Sequence, residues 1–519
     1  MNEARNRAIL AALLVATLVL TAAAWLRSAE YDEQYTLFVT GGMARPAWPA
    51  EALVAGDVRA AQAGHAGFVA IARDLRTTDV HPPLYFWLVA AWRAAVGDGL
   101  FAARLLSVLL SVVTLCGVAV IARTAAVPPA PAVLLTLGCY GFAYTGSIAR
   151  GFALAQMLSV WGVALLLIAH RRRRPAVMLA AGLLLGSATF TNYLAVFVAC
   201  AALLYAMIAD EARQSGAGWS VSFALPAWAG FAAWAPADLW FFLAQRQSRT
   251  GQFPPFHLIS GMARLGQYFA ANVLGGLPLY VDGAARWAVM IALALLLATL
   301  AALTIGRWQH IATPPARLLL AMALGASPIG IAALGIVFDS TPIELRYLAF
   351  ATPFVGLLLA GTFASLPRRT GRVACRLLLT VQAAALAGLM IRPETMQPAR
   401  ATAIAAASLA QGGVVLLPRG NDGVGIVGAF AIEAPLALPL MVVGKDATAA
   451  QIRAQLTTHQ RVVLALLGQD ADSRAALPVM RQALADRCWR PAGEGFNVLA
   501  FERVCDEACL SSSFQRRRE

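Results

Sequence analysis

The chain has a single lysine, Lys445, so all but one of its 41 basic residues are arginines. Charged residues make up only 13% of 519 positions against 59% apolar, and the mean hydropathy is +0.67. That scarcity excludes an ordinary series of soluble domains. Metal-binding cysteine patterns are missing as well. No CxxC or Cys/His spacing occurs: Cys116, Cys139, Cys200 and Cys375 sit inside apolar runs, and Cys488, Cys505 and Cys509 cluster near the C-terminus. The formal charge of +14 lies on arginines set singly or in short clusters between long apolar runs. A nucleic-acid-binding face is excluded on that distribution. What remains is a polytopic membrane protein.

The first apolar run, residues 8–26, follows Arg5 and Arg7 and is long enough to span. No small-residue cleavage site precedes the acidic Glu30-Tyr31-Asp32-Glu33, so the run reads as an uncleaved helix with a cytoplasmic N-terminus. Further spans are expected at 100–122, 130–148, 152–170, 176–191, 193–209, 220–242, 284–305, 317–337, 347–366 and 373–391. The loops that then face the cytoplasm hold Arg123, the run Arg171 to Arg174, Arg213, the stretch from Arg307 to Arg317, and Arg368, Arg369 and Arg372. This is the positive-inside pattern for about eleven helices. An odd count places everything after Arg392 outside.

Beyond that point the composition changes. Apolar segments at 413–418, 438–443 and 461–466 read as buried strands, with helical patterns at 400–411, 448–457 and 473–486. The expected fold class is therefore an all-α polytopic bundle over residues 1–391, with a large first outer loop at 27–99, followed by a small soluble α/β domain at 392–519. The turn Pro418-Arg419-Gly420-Asn421-Asp422-Gly423 lacks a GxGxxG or Walker spacing and reads as a strand-to-helix turn. In an oxidising compartment, Cys488 can pair with either Cys505 or Cys509; the sequence does not choose.

The residues with chemistry fall on the outer side. Asp32 and Glu33 follow the first helix, and diverge by roughly 100° if that segment is helical. Asp79-Val80-His81-Pro82-Pro83-Leu84-Tyr85 precedes an aromatic stretch to Val96 that is too short for a comfortable span. Its two prolines hold an extended segment and then start a helix. Arg150 and Arg346-Tyr347 stand at outer ends of spans, where the positive-inside rule disfavours arginine. Either a salt bridge to Glu344, Asp339 or Asp32 compensates them, or an anionic ligand does. His257 lies in a long outer loop with Arg246 and Arg249, and Asp238 near Pro236 is expected to face the bundle interior.

Taken together, Asp-Glu after the first helix, Asp-x-His-Pro-Pro-Leu-Tyr, the Ala149-Arg150 turn and Arg346-Tyr347 resemble one family. They look like the C-type membrane glycosyltransferases, among them the dolichyl-phosphate-mannose protein mannosyltransferases and the bacterial lipid A aminoarabinose transferases. The resemblance covers roughly residues 1–391. It implies an inverting transferase of a bacterial cytoplasmic membrane that moves a sugar from a polyprenyl-phosphate carrier to an acceptor on the outer face, with the C-terminal domain periplasmic. It implies Asp32 as catalytic base, with Glu33 beside it. With no lysine before Lys445, the carrier phosphate falls to Arg150 and Arg346, with Tyr347 as a hydrogen-bond donor; Asp79, His81, Tyr85 and His257 would line the cleft.

No cofactor is expected beyond the lipid-linked donor, and no obligatory metal, since adjacent Asp32 and Glu33 chelate poorly without a third hard ligand. The acceptor class stays open among glycolipids, lipid A and proteins. Two other readings fit less well. A secondary transporter of an anion is disfavoured by the lack of an internal repeat and the few charges in mid-helix. A scaffold with an extracytoplasmic binding domain does not need eleven spans.

Overall fold

The computed structural model describes residues 2–172, 174–208, 221–245, 255–339, 343–391, 398–468 and 470–504. Arg173, Arg213, Arg246, Arg249, Arg392, Cys505 and Cys509 lie outside the described residues. The chain forms two compact units. One comprises residues 1–27, 75–97 and 101–393, the other residues 28–74, 98–100 and 394–519. Most of the segment 27–99, expected from the sequence to belong to the helical domain, is thus built into the second unit.

In the first unit, seven described helices are long and apolar enough to cross a membrane: Glu3–Leu26 (within α1, Asn2–Leu26), Leu100–Thr124, Phe152–Arg172, Gly283–Gly306, Pro314–Phe338, Leu345–Ala364 and Arg368–Ile391. The other four expected spans are shorter or interrupted. Residues 130–148 become Pro129–Gly138 and Tyr140–Gly146, broken at Cys139. Beside that break lies buried Gln382, whose amide donates to the carbonyl oxygens of Leu135 and Val273 and occupies the space a Cβ on Gly138 would need. A polar side chain inserted next to the backbone ladder is a recognised cause of helix interruption. Residues 176–191 and 193–209 become Pro175–Thr189 and Ala195–Ile208, and residues 220–242 split into Val221–Ala232 and Ala235–Ala244. Gly182 and Gly230 let two of these helices touch backbone to backbone, since a Cβ on either would lie within 2.5 Å of the other helix's carbonyl oxygen.

Two buried arginines end α1. The Arg104 guanidinium donates to the carbonyl oxygens of Ala24 and Arg27, both at 2.9 Å. A guanidinium nitrogen shared by carbonyls at the last helical turn satisfies them and complements the helix dipole. Arg27 in turn donates to Tyr144 O and Ser147 Oγ, with its guanidinium 4.3 Å from the Tyr144 ring centre.

The second unit holds a six-stranded mixed sheet: β1 Leu53–Val54, β2 Val414–Pro418, β3 Pro439–Val443, β4 Arg461–Ala465, β5 Trp489–Gly495 and β6 Val498–Arg503, in the order β1-β3-β2-β4-β6-β5. β2 is parallel to β3 and β4, while the remaining pairs are antiparallel. Side chains alternate across the sheet. Val415, Leu417, Leu440 and Val463 pack with Phe38, Val58 and Phe430; Val414, Leu416, Met441 and Val462 pack with Ile452, Met480 and Leu484. Phe38 and Val58 come from the segment 27–99, which thus supplies part of this core. Its two-residue β1 also completes the sheet edge, pairing Leu53 with Leu440. Cys488 is disulfide-bonded, whereas Cys116, Cys139, Cys200 and Cys375 are free.

Candidate active site

Asp32 is carried on α2, Tyr31–Gly41, in the second unit. The helix starts where the Glu33 carboxylate accepts from the Glu30 backbone N–H at 3.0 Å, and it ends at Gly42, which adopts the left-handed conformation at φ 91°. Glu33 is fully buried in that capping role, while Asp32 is half-buried in the first turn. A carboxylate there is favoured by the helix dipole. Gln34 is buried too, donating to Glu30 O and accepting from Gln62 Nε2 at 2.8 Å. The two carboxylates the sequence pairs are therefore placed differently, one inside the fold and one at its surface.

The opposite face of α2 is held by the segment after β2. The hydroxyls of Tyr31 and Tyr35, one helical turn apart, both close on the same oxygen of Asp422, and the Tyr31 hydroxyl also lies 2.7 Å from Asn421 Oδ1, with one proton to share between the two acceptors. The other Asp422 oxygen accepts from the backbone N–H groups of Val424 and Gly425 at 2.8 and 3.0 Å. Trp48 Nε1 donates to Gly423 O. Burial, with the charges of Tyr35 and Asp422, pushes the Tyr31 pKa far above its ordinary value, so its hydroxyl stays a donor.

Here the structure shows what the turn read alone did not. Gly423, Gly425 and Gly428 continue past it in G-x-G-x-x-G spacing, after a strand and into the helix Gly425–Glu433. Gly423 takes a left-handed backbone at φ 74°, and the other two serve packing. A Cβ on Gly425 would lie 2.2 Å from the Tyr31 ring, and one on Gly428 would meet Gln34, Gln62 and Phe38. With Asp422 already accepting from the first N–H groups, the helix end is occupied by the protein itself.

In the first unit, three of the predicted residues converge. Arg150 Nη1 lies 3.2 Å from Asp79 Oδ2, and His81 Nδ1 lies 3.0 Å from Asp79 Oδ1. Burial alone would raise the Asp79 pKa, but the charges of Arg150 and His81 outweigh it and hold the carboxyl well below the usual range. The compensating anion for Arg150 is thus Asp79, which the sequence reading had placed in the cleft rather than offered as the partner. The helix Leu84–Val96 begins directly after Pro83, leaving Asp79 and His81 in the connection that precedes it. Buried Gln245 fixes this connection, donating to Leu75 O and His81 O at 2.9 Å while accepting from the Tyr193 hydroxyl.

Phe152 links the cluster to the late helix. Its ring lies 6.4 Å from His81 and 6.3 Å from Tyr347. Arg346 pairs with Glu344 at 2.7 Å, as one of the sequence alternatives had it. Tyr85 is fully buried with its hydroxyl 3.3 Å from Ser107 Oγ, and His257 is exposed at the start of the helix Leu258–Leu274. Asp238 accepts from the Thr189 hydroxyl at 2.6 Å. Arg27, Arg104, Gln245 and Phe152 were missed because each looks ordinary alone: an arginine at a span end, a loop glutamine and a core aromatic. Among the described residues no group of three or more His, Cys, Asp or Glu side chains is arranged to hold a metal ion.

Residues 80–240, which contain His81 and Arg150, match the family model described as dolichyl-phosphate-mannose-protein mannosyltransferase. No curated protein sequence matches the chain. Among solved structures, ArnT from Cupriavidus metallidurans bound to undecaprenyl phosphate is similar over 96% of this chain and 98% of its own, with a TM-score of 0.53 and 12% identity. The apo state of that protein gives a TM-score of 0.52 at 13% identity, with the same coverage. The arabinofuranosyltransferase AftD from Mycobacteria is similar over 96% of this chain and 40% of its own, with a TM-score of 0.44 and 16% identity. The fold is that of the C-type membrane glycosyltransferases. The chain resembles their protein-mannosyltransferase and ArnT members.

Proposed function

We propose that this protein is an inverting glycosyltransferase that moves a sugar from a polyprenyl-phosphate carrier to an acceptor on the outer face of a bacterial cytoplasmic membrane. The observation that carries this reading is the buried Asp79–His81–Arg150 cluster, two members of which lie in the segment matched by the mannosyltransferase model. That the structurally similar ArnT was solved with undecaprenyl phosphate supports a donor of the same class.

In this reading Asp32 takes the proton of the acceptor hydroxyl as the acceptor oxygen attacks the anomeric carbon. The bond from that carbon to the phosphate oxygen breaks, and the carrier leaves as a lipid phosphate. Base catalysis of this kind contributes about 10²–10⁴ in rate. The departing negative charge needs fixed positive partners. Arg346 and Arg150 fill that role, each guanidinium having five N–H donors to share between the phosphate and its carboxylate partner, Glu344 or Asp79; Tyr347 is a further donor, and His81 and Asp79 set the geometry around Arg150. Glu33 caps the helix that carries Asp32 and stands behind it as the next candidate base. The further expectations are an eleven-span topology, an outer C-terminal unit and no metal requirement; the disulfide at Cys488 is in keeping with an oxidising compartment.

Mass spectrometry of cell-envelope glycolipids and glycoproteins, with and without the gene product, tests the proposal. A sugar modification lost with the gene and restored by the wild type, but not by Asp32→Asn, is the expected result. An unchanged envelope glycan profile would refute it.

A further inference from the structure

We propose that Asp422, in the C-terminal segment, is a positioning residue that sets the orientation of the helix carrying Asp32; this rests on the assignment of Asp32 as base. The geometry is a two-point clamp. Tyr31 and Tyr35 lie one turn apart on one face of α2, and both hydroxyls close on one Asp422 oxygen. Two contacts one turn apart restrain rotation of the helix about its axis, adding to the Gln34–Gln62 hydrogen bond and the packing of Phe38. Asp32, adjacent to Tyr31, projects about 100° round the axis from the clamped face. Rotation of α2 would therefore swing the Asp32 carboxylate directly.

Asp422 is suited to this because it is itself immobilised. It is 3% exposed, and its second oxygen is held by the N–H groups of Val424 and Gly425. The glycines at 425 and 428 bring α2 close enough for the tyrosines to reach. Neighbouring contacts tie the rest of the loop to the same segment: Arg59 donates to the carbonyl oxygens of Ala431, Ile432 and Ala434, and Ala29 N–H donates to Glu433. A general base displaced by about 1 Å loses up to about a hundredfold in rate, so a device of this kind acts on turnover rather than on donor binding.

The test separates the clamp from folding and from the base assignment. Asp422→Asn keeps an oxygen for Val424 and Gly425 but replaces the charged acceptor that both hydroxyls meet by a neutral amide; Tyr31→Phe/Tyr35→Phe removes only the hydroxyls. Transfer is measured in proteoliposomes with undecaprenyl-phosphate-linked hexoses and pentoses as donors and extracted envelope lipids as acceptors. Both variants should lower kcat tenfold or more with donor KM within twofold, and neither should lower the residual rate of Asp32→Asn further. Amide hydrogen exchange over residues 33–41 should quicken at least tenfold in both. A kcat within twofold of wild type, losses that multiply with Asp32→Asn, or unchanged exchange in α2 would each overturn the clamp. Normal transfer by Asp32→Asn alone would sink the base assignment instead, and exchange in α2 would still decide whether Asp422 holds the helix.

Discussion

Asp79 and Arg150 lie 71 positions apart in the chain and meet at 3.2 Å, with side chains only 4% and 6% exposed. A buried ion pair is a poor source of net stability but a costly thing to break, because the survivor is left charged without water. Asp79→Ala or Arg150→Ala should therefore destabilise the protein by about 3–5 kcal/mol. Replacing both with apolar residues of similar volume should cost less than either single change. Thermal unfolding in detergent measures this, and a double variant less stable than both singles would contradict it.

The same pair has a pH signature. The folded-state pKa of Asp79 is depressed, so its stabilisation is complete above the unfolded-state value of about 3.9 and is lost as pH falls from there toward the folded value. The stability gap between wild type and Asp79→Asn should narrow as pH falls below about 4. Melting curves below about pH 5 check the sign; a gap that widens as pH falls below about 4 would contradict it.

Asp32 and Glu33 should separate in mutagenesis. Asp32→Asn should lower turnover by about 10²–10⁴ with little change in melting temperature. Glu33→Ala should lose about 0.5–2 kcal/mol of stability through the missing cap while keeping most of its turnover at low temperature. Paired activity and unfolding measurements distinguish the two patterns.

Arg346 is assigned to the donor phosphate. Arg346→Ala should raise the donor KM about tenfold or more, the usual worth of a charge-assisted hydrogen bond. Arg346→Lys should recover only part of that, because an ammonium lacks the planar fork. Steady-state kinetics with varied donor concentration read out both variants.

Transfer should survive a strong chelator. Glu33 is engaged in capping α2, which leaves Asp32 without an adjacent second carboxylate for a divalent ion. Complete loss of activity in chelator, restored by manganese, would contradict the expectation.

How legible these features were depended on whether one segment carried the signal. The long spans, such as Leu100–Thr124 and Gly283–Gly306, follow from uninterrupted apolar runs that need no partner to be recognised. β2, β3 and β4 coincide with short apolar runs because each is buried on both faces. β1 was invisible: two residues in a polar loop become a strand only because β3 offers an edge. The helix Gly425–Glu433 carries no helical periodicity because all but its final residues are buried. In the site, Asp79, His81 and Arg150 were each visible, but their pairing was not. The salt bridge joins two distant segments, and charge patterning along the chain carries no information about which cation meets which anion.

The sheet edge at β1 also sets an order of events during synthesis. Leu53 waits for Leu440, roughly 390 residues later, which at ~5–20 residues per second takes roughly 20–80 s. Over that interval Phe38 and Val58 have no sheet to cover them, and Tyr31 and Tyr35 have no Asp422. The loop bearing Asp32 thus reaches its final shape only after the last expected span has been made, so a half-made chain lacks the arrangement proposed here to orient its base.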